Sequence, residues 1–135
     1  PAFSAYLSSA QNPVAASTWV KVRCDTKEFY TANCYDNTTN YRFTPNVAGY
    51  YQFNACALWN NGSATYTIAS IFKNGSGVKV VYSENTHGLS TLVTALIYAN
   101  GTTDYFEVYV WCNGGFTVAS GGTQCYFQGF LVRTA

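Results

Sequence analysis

Apolar and polar residues alternate with a period of two along most of the chain. Trp19-Val20-Lys21-Val22-Arg23-Cys24 alternates, and so does the run from Tyr51 to Trp59, where Tyr51, Phe53, Ala55, Ala57 and Trp59 fall on one face. Successive side chains of a strand point to opposite sides, so this is the pattern of half-buried β-strands. Further strands are expected over 64–73, 78–83, 92–99, 105–112 and 124–133. Turn residues punctuate them. Asn74-Gly75 supplies the positive φ that a tight hairpin demands. Asn100-Gly101-Thr102-Thr103 reads as the loop of a second hairpin, joining 92–99 to 105–112, and Asn113-Gly114-Gly115 and Gly121-Gly122 as further turns. Leu89, Leu92, Val93 and Leu96 would fit one helical face, but Thr91, Val93, Thr94, Ile97 and Tyr98 favour strand. Many short strands at roughly ten-residue spacing predict a single all-β domain over 1–135, a sandwich or barrel. Tyr51, Phe53, Trp59, Phe106, Phe127 and Phe130 are its expected core. Tyr30, Tyr35, Tyr41 and Tyr126 are assigned to core or interface.

Composition sharpens this picture. Aromatic residues make up 18% of the 135 residues, and charged residues only 10%, against about a quarter in ordinary soluble proteins. The aromatic content excludes a disordered chain. The formal net charge is +1 and the Lys and Arg residues are scattered. No nucleic-acid partner is expected, because neutralising phosphates needs a concentrated cationic face. No apolar run is long enough for a transmembrane helix, so no membrane partner is expected. The first residues carry no signal-peptide pattern, and the absence of Met fits removal of an initiator. So few charges favour a protein that hides surface in an oligomer.

The cysteines, Cys24, Cys34, Cys56, Cys112 and Cys125, include no Cys-x-x-Cys, and there is one histidine. No zinc site is expected, since its ligands come in closely spaced pairs. Buried reduced thiols are the first expectation. Cys24 with Cys34, or Cys112 with Cys125, are the pairs that neighbouring strands could join.

Neither a Gly-x-Ser-x-Gly elbow nor a phosphate loop is present. His87, between turn formers, has Glu84 as the one acid close in sequence and reads as a surface-loop residue. The six acids, Asp25, Glu28, Asp36, Glu84, Asp104 and Glu107, are dispersed and no glycosidase-like pair stands out. Asp25, Glu28 and Asp36 read as turn-capping acids rather than calcium ligands. No catalytic residue, metal or cofactor is expected. The Asn-, Thr- and Gly-rich loops holding Asn37, Asn61, Asn74, Asn100 and Asn113 are candidate contact loops, offering neutral amides to protein or sugar. The first four of these asparagines are also glycosylation sequons.

The run Phe43-Thr44-Pro45-Asn46-Val47-Ala48-Gly49-Tyr50-Tyr51-Gln52-Phe53 resembles the signature of the globular domain of complement component 1q and its tumour-necrosis-factor-like relatives. The signature's closing aromatic is here Ala55. Tyr35 to Phe43, Lys73-Asn74-Gly75, Asp104 to Val108, Ala2 to Ala5 and the ending Phe127-Gln128-Gly129-Phe130-Leu131 are similar to the family's segments, in order. Gly49 is read as a tight bend before a central strand, and Gly129 as leaving room for a neighbour's ring. The resemblance implies a jelly-roll sandwich of about ten antiparallel strands, a homotrimer, and a binding or structural role without catalysis. The wording is closer to bacteriophage members than to animal ones. It implies a virion-surface protein that decorates a capsid against the major capsid protein or another virion protein. The alternatives are a tail-fibre tip that binds a receptor or host surface glycan, or a secreted, extracellular lectin-like module.

Overall fold

The computed structural model describes residues 1–60, 62–84 and 88–135. Among them are thirteen strands and no helix. The first sheet contains β1 (Ala2–Tyr6), β2 (Gln11–Val14), β4 (Thr26–Tyr30), β7 (Gly49–Asn60), β10 (Ser90–Ala99), β12 (Phe116–Val118) and β13 (Tyr126–Thr134). Its order is β2-β12-β7-β13-β1-β4, with β10 also paired to β7. The second holds β3 (Val20–Lys21), β5 (Tyr35–Asp36), β6 (Arg42–Phe43), β8 (Tyr66–Lys73), β9 (Ser76–Glu84) and β11 (Phe106–Cys112), in the order β5-β6-β11-β8-β9 with β3 on β11. Every pairing is antiparallel.

Rings fill the space between the sheets. Phe3 stacks on Phe43 at 4.5 Å and on Tyr35 at 4.8 Å, and Phe53 lies 4.5 Å from Phe106 and 5.9 Å from Phe127. The polar tips of the buried rings Tyr35, Tyr51 and Trp59 find partners. The Tyr35 hydroxyl donates to the Cys24 carbonyl, the Tyr51 hydroxyl to the Val47 carbonyl and the Trp59 Nε1 to Thr91 Oγ1.

Four expectations need correction. Phe130 is not core. Phe127 is 1% exposed and Phe130 47%, because positions three apart on a strand face opposite ways. Gly49 does not serve a bend. A Cβ there would stand 2.4 Å from the Arg133 carbonyl oxygen, so the residue lets β13 approach β7 at the Gly49–Thr134 pair. The Asn100 loop closes no hairpin. It carries the chain from β10 in the first sheet to β11 in the second, and it is held locally, by Asn100 Oδ1 accepting the N–H groups of Thr102, Thr103 and Asp104. The run over 19–24 pairs as a strand only at Val20–Lys21, although Val22 and Cys24 still point into the core.

The Asn74-Gly75 turn has φ values of 53° and 81°, and Lys73 pairs with Ser76 across it. That is the two-residue hairpin geometry whose twist suits the flanking strands. None of the five cysteines is in a disulfide, and all but Cys56 are buried. The Cys24 thiol meets that of Cys125 rather than Cys34. The hydrogen bond that the Cys24 thiol donates to Cys125, together with burial, pushes its pKa well above the ordinary value.

Candidate functional site

The acidic residues go largely into architecture. Asp36 accepts the N–H groups of Thr38, Thr39 and Asn40 and the Asn40 amide. These bonds, Thr39 foremost, hold its carboxyl well below the usual range. Asp104 accepts from Asn74 Nδ2 and Asn100 N and pairs with Lys73 at 2.8 Å. Glu107 pairs with Lys21 at 2.5 Å, Asp25 takes bonds from Ser8, and Glu28 takes one from Ser4.

The candidate contact asparagines are also engaged inside the fold. Asn37 Nδ2 donates to the Asp25 carbonyl. Asn74 bridges Asp104 and the Tyr105 N–H, so the Asn74 and Asn100 loops are tied together through one carboxylate. Asn113 Oδ1 accepts from the Thr65 and Tyr66 N–H groups, while its Nδ2 donates to Thr65 Oγ1. Asn61 and His87 lie outside the described residues.

The surface that stands out is the outward face of the first sheet. On β10 the inward residues Val93, Ala95 and Ala99 alternate with outward Leu92, Leu96 and Tyr98. Leu96, 55% exposed, lies in one row with Gln52 and Phe130 across β7 and β13. Tyr98 packs beside Tyr50 at 5.7 Å, and Val132 and Phe29 extend the patch. A polar row crosses it. Gln52 Nε2 donates to Thr94 Oγ1, which donates to Asn54 Oδ1. One shallow depression of about 270 Å³ is lined by Tyr50, Leu96, Val132 and Arg133, and another of about 170 Å³ involves Phe29, Asn54 and Phe130. The low charge pointed to hidden surface without placing it on this face. The signal was present in the near-continuous apolar run over 92–99, which marks a strand covered on both faces.

Two antiparallel sheets closing over an aromatic core, with crossings between them at both ends, define a jelly roll. No family profile matches the chain, and no curated protein does. Solved structures do. The chain is similar to the globular domain of zebrafish complement 1qA, at 16% identity and a TM-score of 0.65, covering 100% of this chain and 99% of that one. It is similar to murine APRIL at 9% identity and a TM-score of 0.69, covering 98% and 100%. It also matches the PRD1 vertex protein P5, at 16% identity and a TM-score of 0.61, covering 88% and 72%. At these identities the likeness is one of fold, and the fold is the jelly roll shared by the complement 1q and tumour-necrosis-factor-like domains.

Proposed function

We propose that this chain is a non-enzymatic structural protein of a phage virion surface, acting as a jelly-roll homotrimer that decorates the capsid. The observation that carries the reading is the outward face of the first sheet. Leu92, Leu96, Tyr98, Phe130 and Val132 form an exposed apolar surface of a kind that soluble monomers rarely leave open. Covering it with copies of the same chain accounts for an outward strand face rich in Leu, Val and Phe in a protein with so few charges. The likeness to the PRD1 vertex protein P5 supports a virion setting. The use of the carboxylates in turns and ion pairs supports a role without catalysis. The partner beneath the trimer is the major capsid protein or another virion protein.

A second reading, a tip domain that binds a receptor or glycan, is favoured by the exposed aromatic rings of the second sheet. Electron microscopy of intact particles tests the first reading by locating the chain. Decoration through neutral contacts persists as salt rises to about 1 M, where exposed charges are screened within about 3 Å. Release at moderate salt, or density confined to fibre tips, overturns capsid decoration.

A further inference from the structure

We propose that the outward face of the second sheet, centred on Tyr66, Tyr82 and Trp111, is a binding platform for an uncharged carbohydrate. The inference rests on reading the chain as a binding module, and it needs one copy only. Tyr82 on β9 and Trp111 on β11 flank Ile68 in one cross-strand row. Tyr66 lies beside them, with its ring stacked on Tyr82 at 5.7 Å and 25° and meeting Trp111 edge-on at 5.8 Å. Tyr82 is 61% exposed. A second ring group, Trp19, Phe72 and Tyr109, continues the same face, with Phe72 stacked on Tyr109 at 4.2 Å.

These rings differ from those of the core in one respect. Buried Tyr35, Tyr51 and Trp59 each spend the polar tip on an internal partner. The Tyr66 and Tyr82 hydroxyls and the Trp111 Nε1 have no hydrogen-bond partner among the described residues. A ligand seated here meets flat apolar faces and open polar groups together. Sugar rings present that same combination, C–H faces bordered by hydroxyls.

Charge narrows the class. On this face Lys21 is spent on Glu107 at 2.5 Å and on the Asn40 carbonyl. Glu84 stands in register with Tyr66. Lys79, in register with core Ile71, sits on the opposite side of β9 from Tyr82, and Arg42 lies over the Tyr105 ring, so the charge felt beside Tyr66 is that of the Glu84 carboxylate and it disfavours an anionic polymer. An uncharged one loses nothing.

Affinity electrophoresis tests this. The wild-type chain is run through gels containing glucan, galactan, mannan or soluble chitin oligomers, with the anionic polymer hyaluronan as a contrast. At least one neutral polymer retards the chain, and Tyr82→Ala weakens the retardation about tenfold. Trp111→Leu does the same. Tyr82 is exposed enough for its truncation to spare the fold, which circular dichroism checks. Retardation by none of the neutral polymers, or retardation insensitive to Tyr82→Ala, overturns the proposal, as does a preference for hyaluronan. If Tyr82→Ala instead abolishes particle binding while no polymer is retarded, the face belongs to a protein partner. Sedimentation of the same samples reports the trimer separately, so the two readings can fail independently.

Discussion

The Phe53 ring occupies the space where a side chain at Gly129 would begin. A Cβ at 129 would stand 2.6 Å from Phe53 Cδ1 and 3.0 Å from the Gln52 carbonyl oxygen. Both residues sit at the centre of the first sheet, paired across β7 and β13. The ring is fully buried and held by Phe43, Phe106 and Phe127. It has no room to yield.

Gly129→Ala is therefore expected to destabilise the fold by about 1–3 kcal/mol, the usual cost of overpacking. Phe53→Ala, which empties the same site, is expected to cost about 3–5 kcal/mol. Urea titration of both variants measures the loss. A midpoint for Gly129→Ala equal to that of the wild type would contradict the packing.

Leu96→Asp puts a charge at the middle of the exposed face of β10. Because Leu96 is not part of the core, the strand content seen by circular dichroism stays the same. If the proposed trimer forms through this face, sedimentation is expected to change from it to a 14.8 kDa species. A variant that stays trimeric would place the subunit contact elsewhere.

Asp104 provides an acid-dependent prediction. Burial alone would raise its pKa, but hydrogen bonds from Lys73, Asn74 and Asn100 outweigh it and the net shift is downward. A carboxyl whose pKa is lower folded than unfolded stabilises the fold above the unfolded value, about 3.9. That contribution is lost as pH falls through the folded value. Asp104→Asn should cost about 1–3 kcal/mol at neutral pH and flatten the dependence of stability on pH below about 4. Chemical denaturation across that pH range reads both effects. An unchanged acid slope would mean that Asp104 contributes none of it.

Burial of the thiols predicts slow labelling. In the native protein, iodoacetamide should leave Cys24, Cys34, Cys112 and Cys125 unmodified, with Cys56 the one partly accessible site. Burial also raises the pKa of Cys56 and so keeps its reactive thiolate scarce. Mass spectrometry before and after denaturation counts the modified sites.

Period-two alternation located the long strands β7, β8, β10, β11 and β13 because each has one face set by the core. The Asn74-Gly75 turn was legible because its backbone needs residues that tolerate positive φ. The partner of each strand was not legible. β10 and β11 follow each other with a hairpin-like loop between them, yet they pair in different sheets. The local bonds of Asn100 and Asp104 shape the loop either way. Phe130 was misplaced because the residue type suggested core while its alternation with Phe127 did not. The apolar outward positions of β10 and the aromatic face of the second sheet look like core residues in a sequence. Only the geometry separates a ring that faces another sheet from one that faces outward.

The pairing of β1 with β13 also sets when the chain can fold. Ala2 pairs with Phe130 and Tyr6 with Tyr126, so the middle of the first sheet waits for the last strand to leave the ribosome. Until then Phe3 and Ala5 have no β13 to lie against, and β4 and β7 cannot be joined. Contacts this distant in sequence make folding slow and leave apolar strands open meanwhile. Until residues 126–134 are available to close the sheet, the earlier apolar strands stay open to wrong partners, and that interval is when the chain is most prone to aggregate.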